Sequence, residues 1–271
     1  MMRPLQGLKV IEFEGIGPGP LAGRMLADLG ADVVAVVRPH KSALGDPDRP
    51  LFEGPLRRGK RIVPLDLKRA QALAEALTLI ETADALIEGN RPGVMERLGL
   101  GPADCARRNP RLVYGRMTGW GQDGPLAHAA GHDLNYLALS GVLSLAARDG
   151  QAPIAPPTVL GDGAGALGLA FGVAAACFAA SRSGKGSVID CSIVDVAASL
   201  AGIALSARAP ECWTRQARST TRRSTISTPA PTDAMFPSAR SSRSSTRSSS
   251  TGSALGTSTR RRNTTAPPGR R

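Results

Sequence analysis

The 271-residue sequence predicts an α/β fold, a Rossmann-like doubly wound parallel sheet, on three observations. Short apolar runs recur, each separated from its parallel neighbour by enough chain for a helical crossover. The intervening segments carry a helical rather than an alternating apolar period. Glycine and proline punctuate the junctions. Strands alternating with helices in this way build a parallel sheet covered on both faces.

The elements follow in order. "LKVIEF" (Leu8–Phe13) reads as a buried strand. "GIGPGPLAGRMLADLGA" turns and becomes a helix, with Leu21, Met25, Leu26 and Leu29 on one face and Gly30 ending it. "DVVAVVRP" (Asp32–Pro39) is the second strand and completes a βαβ unit. "RIVPLDL" is a strand, "KRAQALAEALTLIETA" a helix, and "DALIEG" and "NPRLVYGRMTG" are further strands. Beyond Gly131 come a helix from about Leu134 to Leu145, a second over Gly163–Ser181, the strand "GSVIDCSI" and the helix "VDVAASLAGIAL".

The first glycine-rich turn invites a dinucleotide reading and fails it twice. Pro18 and Pro20 remove amides that a pyrophosphate cradle would use. The second strand ends in Arg38, where an NAD site wants an acid for the ribose hydroxyls; arginine suits a phosphorylated ribose better. "GAGALG" (Gly163–Gly168) matches the same string but follows no strand, so close helix packing is its expected role.

Composition bounds the function. The net charge is +12, yet from Ala207 onward thirteen arginines face only Glu211 and Asp233, so +11 of it lies there and the body is near neutral. Cys105, Cys177, Cys191 and Cys212 form neither a zinc pattern nor a disulfide framework, which points to a reducing, cytoplasmic setting with no metal. The start of the chain has no apolar core of a signal peptide. "ALGLAFGVAAACFAA" (Ala166–Ala180) is short of the roughly 20 residues a membrane span requires, so a buried core helix is expected.

Two stretches can carry chemistry. "AGHDLNYLALSG" (Ala130–Gly141) and "VLGDGAGALG" (Val159–Gly168) each place a titratable side chain in a glycine-flanked turn at a helix start. The helix dipole favours a carboxylate there, and the free amides can bind an anion. Taken singly, Asp133 and Asp162 read as helix caps, and His132 as a packed or solvent-facing imidazole. His40 and His128 lie in polar loops.

Together, "GHDLNY", "LGDGAGALG", "PGPLAGRMLADLGADVV", "LDLK" (Leu65–Lys68) and "RPGVMERLGLG" (Arg91–Gly101) resemble the family III CoA-transferases, also called the CaiB/BaiF family. The likeness runs from about Leu5 to Ser206 and is greatest to the family's α-methylacyl-CoA racemase branch. It implies the family's Rossmann-like fold, an acyl-CoA substrate and an interlocked homodimer, with no membrane or nucleic-acid partner. It implies no cofactor beyond the coenzyme A carried by the substrate. His132 and Asp162 match the two bases that would invert the carbon beside a thioester through an enolate. Arg38, Lys68 and Arg91 match CoA-phosphate positions, and Gly131, Asp133 and Tyr136 match positions near the thioester. CoA transfer is the alternative within the family, with the Asp162 carboxylate as nucleophile and no need of the histidine.

The resemblance further implies a small second domain and a glutamate that supports the histidine. Neither has a counterpart after Ala207, where the composition turns to Arg, Ser, Thr and Pro. Residues 1–206 therefore read as an incomplete large domain, and 207–271 as a basic tail that lacks the apolar content to order itself. Shifting the reading frame over Thr221–Ser253, with permitted codons, yields family-like sequence that includes "GALEP", whose glutamate would straddle Ser241 and Ser242. A frameshift between about Ala207 and Thr221 is the expected cause, and the chain as written is expected to be inactive or poorly folded. The competing reading is an arginine-serine RNA-binding extension with salt-sensitive, non-specific affinity.

Overall fold

The computed structural model describes residues 3–39, 54–148 and 150–207. The basic stretch from residue 208, with Cys212 and the shifted-frame segment, lies outside the described residues, as does His40. Six strands form one parallel sheet: β1 (Lys9–Phe13), β2 (Asp32–Val37), β3 (Lys60–Pro64), β4 (Ala85–Glu88), β5 (Val113–Thr118) and β6 (Val188–Ser192). Their order across the sheet is β3-β2-β1-β4-β5-β6. The chain winds outward from β1 in one direction, then returns past it to β4 and winds the other way. A crevice opens outside the carboxyl ends of the strands where the winding reverses, between β1 and β4.

Each long helix covers one face. Helices α1 (Pro18–Asp28) and α6 (Leu160–Ser183) lie on one side, packed on Val10, Val33, Ile87 and Val113. Helices α2 (Ala70–Glu81), α3 (Val94–Arg97) and α4 (Pro102–Arg108) lie on the other, packed on Ile11, Val34, Leu86 and Tyr114. Consecutive strand residues thus serve opposite faces, which is why the strands read as continuous apolar runs rather than alternating ones. Full burial of a single leucine such as Leu26 contributes about 2 kcal/mol to this packing.

Several details depart from the sequence reading. Leu29 does not share the buried face of Leu21, Met25 and Leu26: it caps α1 and is exposed, because the chain turns out of the helix at Asp28 and Gly30 takes φ 104°. The helix expected over Leu134–Leu145 divides into α5 (Asp133–Leu139) and a 3-10 turn over Val142–Ala146, since Gly141 takes the left-handed φ of 79°. The short helices α3 and α4 fall inside and beyond the "RPGVMERLGLG" motif and went unread.

The "GAGALG" string does pack closely. A methyl group on Gly168 would lie 2.8 Å from Val196, and one on Gly165 2.9 Å from Ile193, both on α7 (Ile193–Ala207). Among the described residues, α6 is long and apolar enough to cross a membrane by length and composition alone, while one of its faces lies against the sheet.

A buried ion pair fixes the start of α1. Lys60 Nζ donates to Glu12 Oε2 at 2.6 Å and to the Pro20 carbonyl at 2.7 Å. Both side chains are almost wholly excluded from water. Burial pushes the Glu12 carboxyl up and the Lys60 ammonium down, and their mutual attraction opposes both shifts. Glu12 can occupy its place only because Gly23 on α1 has no side chain to collide with it.

Candidate active site

Two cavities open at the carboxyl edge of the sheet. The first, about 320 Å³, has apolar walls that include Phe13, Val37, Leu65 and Met95, with Arg38, Lys68 and Arg97 among its lining residues. The second, about 250 Å³, is lined by the turn after β4 (Gly89–Pro92), the end of β5 and the turn after it (Met117–Trp120), and Gly131, His132 and Tyr136. Asn90 lines both. Small residues make room in the second cavity. A methyl on Gly131 would sit 2.7 Å from the Tyr136 ring and 2.8 Å from Trp120, while one on Gly119 would strike the Tyr136 ring and hydroxyl. Trp120 and Tyr136 meet edge-to-face at 4.7 Å between ring centres.

Beside this cavity two helix starts converge. His132 is the N-cap of α5, with its backbone N–H donating to Asn135 Oδ1 at 2.9 Å. Its imidazole-bearing residue is exposed. Asp133 opens the helix itself, and its Oδ1 accepts the backbone N–H of Asp162 at 2.8 Å. Asp162 lies in the first turn of α6 and faces the turn before α1: a methyl on Gly17 would come within 3.0 Å of Asp162 Oδ2. Gly17 takes φ 75°, a conformation that itself favours glycine.

The electrostatics of this cluster are unequal. Burial is the largest influence on the Asp162 carboxyl and, with the neighbouring Asp133 charge, lifts its pKa to about 6; His132 pulls the other way. Desolvation therefore outweighs the helix dipole that would favour the ionised form. Burial, followed by the charges of Asp162 and Asp133, pushes the Tyr136 hydroxyl up to about 12, so it stays protonated and able to donate.

The structure therefore brings His132, Asp133, Tyr136 and Asp162 together. Gly131 and Arg91 join His132 and Tyr136 along the second cavity, while Arg38 and Lys68 stand at the first. Asp162 lines neither cavity and approaches the site through Asp133 and Gly17. Sequence reasoning missed Arg97, Asn90 and Trp120. The signal available for them was position: each lies on or beside a segment that follows the carboxyl end of a strand, where ligands bind in such sheets. Among the described residues no group of three or more His, Cys, Asp or Glu side chains is placed to hold a metal ion.

Residues 5–235 match the family described as CoA-transferase family III. The chain belongs to that family. Relatives of both reaction types resemble it. It is 44% identical over 210 residues to the α-methylacyl-CoA racemase of Mus musculus, covering 77% of this chain and 53% of the racemase. It is 34% identical over 228 residues to the acetyl-CoA:oxalate CoA-transferase of Acetobacter aceti, covering 81% and 57%. Among solved structures, a CaiB/BaiF family protein from Brucella suis superposes with a TM-score of 0.69 at 30% identity, covering 78% of this chain and 59% of that one. The family's α/β architecture is thus the one seen here. The chain spans about half the length of the curated family III relatives it matches.

Proposed function

We propose that this family III domain is built to bind an acyl-CoA across the two cavities and to invert the α-carbon of a 2-methylacyl thioester. The observation that carries the reading is the placement of His132 and Asp162 at the starts of two helices tied together by Asp133. One base takes the α-proton: the C–H bond breaks and its electron pair moves to the thioester oxygen as an enolate. The other group returns a proton to the opposite face and the carbonyl re-forms, so no atom is gained or lost. A carboxyl lifted to about 6 is available in both protonation states near neutral pH, as a group that both takes and gives a proton requires. The Asp133 and Leu134 amides precede the first backbone bond of α5, from Asn135 N–H to the His132 carbonyl, and are the ones offered to an enolate oxygen.

The apolar first cavity suits the adenine of CoA, with Arg38, Lys68 and Arg97 toward its phosphates, and Arg91 beside the path to His132. The substrate brings the coenzyme, and the proposed reaction needs no metal or redox group. A homodimer and a cytoplasmic location belong to the same proposal. The second reading is CoA transfer, favoured by the half-buried Asp162 carboxyl, which could attack a thioester to form a mixed anhydride and expel the CoA thiolate.

Activity in this chain is a separate matter. The out-of-frame origin of residues 207–271 remains part of the proposal, as does loss of turnover in the chain as written. The nucleotide sequence across codons 205–225 tests the first. For the function, deuterium incorporation at the α-carbon in heavy water, with no acceptor acid present, is measured on frame-restored protein. Exchange supports racemisation; transfer of CoA to a carboxylate without exchange replaces it with the second reading.

A further inference from the structure

We propose that the Glu88–Arg116–Glu96 array, buried at its first two members, positions the segment Gly89–Leu98, which forms the wall shared by the two cavities, for a ligand that spans both. The proposal rests on the acyl-CoA reading above. Glu88 is the last residue of β4 and Arg116 stands opposite it in register on β5. Both are buried. The two oxygens of Glu88 have different partners: Oε1 accepts from Arg116 Nε at 2.9 Å, and Oε2 accepts from the backbone N–H of Asn90 at 2.7 Å. The rest of the guanidinium reaches helix α3, donating to the two carboxylate oxygens of Glu96 at 2.8 and 3.3 Å.

Two residues back on the same face of β5, the Tyr114 hydroxyl donates to the Leu100 carbonyl at 2.8 Å. The Arg116 guanidinium lies 5.8 Å from the Tyr114 ring centre. The chain from residue 88 to 100 is therefore held from beneath at Asn90, Glu96 and Leu100.

A buried ion pair is weak evidence for stability, because apolar side chains of equal volume hold strand ends as well or better. What the charges supply here is direction. Burial disfavours the ionised form of Glu88, and the Asn90 amide and Arg116 oppose that, so the ionised carboxylate depends on the chain leaving β4 along one path. That path puts Asn90 on the wall of both cavities, Arg91 in the second, and Met95 and Arg97 in the first. A ligand reaching from the apolar cavity to His132 passes over this segment. Glu88, Arg116 and Glu96 line neither cavity, so they act as positioning residues.

The variant Glu88→Gln keeps the size of the side chain but turns one acceptor oxygen into a donor, so either Arg116 Nε or the Asn90 N–H loses its partner. In frame-restored protein, calorimetry measures binding of CoA and of its nucleotide fragment, adenosine 3′,5′-bisphosphate, while hydrogen exchange monitors residues 89–98. E88Q is expected to weaken CoA by about tenfold, the loss of one charge-assisted hydrogen bond. The fragment, which needs only the first cavity, keeps its affinity within about threefold. Exchange across 89–98 quickens while α2 is unchanged. R116K, which keeps the charge but not the fork, falls between wild type and R116Q.

Equal binding and exchange in wild type and E88Q would remove the positioning role and leave the CoA reading standing. Equal losses for CoA and fragment, together with faster exchange in α2, would reduce the array to general stability and also overturn the proposal. No CoA binding by wild type overturns the acyl-CoA reading itself. If E88Q does not fold, E96Q changes the half-exposed end of the array and leaves the buried pair intact. A smaller loss of the same kind supports positioning, and unaltered CoA binding with unaltered exchange refutes it.

Discussion

The Asp133 carboxylate accepts the backbone N–H of Asp162 at 2.8 Å across 29 positions of chain, and so sets the distance between the two helix starts. The same carboxylate supplies a negative charge that helps raise the Asp162 pKa, second to burial. Asp133→Asn keeps an acceptor oxygen and removes the charge. Carboxyl NMR should then place the Asp162 titration below about 6 but, with burial unchanged, still above its ordinary value of 3.8. An unmoved midpoint would show that the charge is screened.

Because Asp162 is easier to protonate in the fold than in the unfolded chain, ionising it works against folding. Below the unfolded value of 3.8 both states are protonated and no penalty exists; above about 6 the penalty is complete. Asp162→Asn should therefore raise the unfolding midpoint at pH 7 relative to wild type and leave it nearly unchanged at pH 3. A gain of equal size at both pH values contradicts this assignment.

On frame-restored protein, His132→Ala and Asp162→Asn should each slow inversion of the α-carbon by about 10²-fold or more, the usual contribution of a positioned acid or base. The double variant should be far from additive, since either loss alone interrupts the two-base sequence. Exchange at the wild-type rate in the double variant would end the racemase reading.

Gly17 faces the Asp162 carboxylate at a left-handed φ of 75°. Gly17→Ala places a methyl there, at a backbone cost of roughly 1–3 kcal/mol, and removes water from the carboxylate. The Asp162 titration should rise further, read by the same NMR experiment. A lower midpoint would mean that the turn opens instead and admits solvent.

Lys60→Met strands Glu12 in the interior. Chemical denaturation should show a loss of about 3–5 kcal/mol, much of it recovered when Glu12→Gln is added. No recovery would mean that the bond from Lys60 to the Pro20 carbonyl is the more important one.

Helix α6 turns Leu167, Phe171 and Phe178 outward, at 59%, 78% and 64% exposure. They recur at helical spacing on one face, a patch of the kind that binds hydrophobic dyes. Serine at the three positions should lower dye fluorescence of the described domain without changing its far-ultraviolet spectrum.

The α/β alternation was legible residue by residue. Strands buried on both faces must be continuously apolar, and "VVAVV" shows it; helices with one buried face must repeat at 3.6 residues. Leu29 was misassigned because periodicity extends a helix past the point where the chain turns away. His132 and Asp162 were legible because helix starts carry a local signature of glycine and polar residues, and because the family motifs include them. Arg116 was hidden in a strand, where a single charge gives no sign of its partners.

The amino-acid order alone determined the succession of strands and long helices, the parallel sheet and the two helix starts, since each depends on neighbours a few residues apart. Tertiary structure decided that Asp133 would hold Asp162, that Gly17 would face its carboxylate, and that Arg116 would join Glu88 to Glu96. Those meetings depend on which strands lie side by side. Strand order is set by the packing of whole helices on a shared sheet, which no local window of sequence contains.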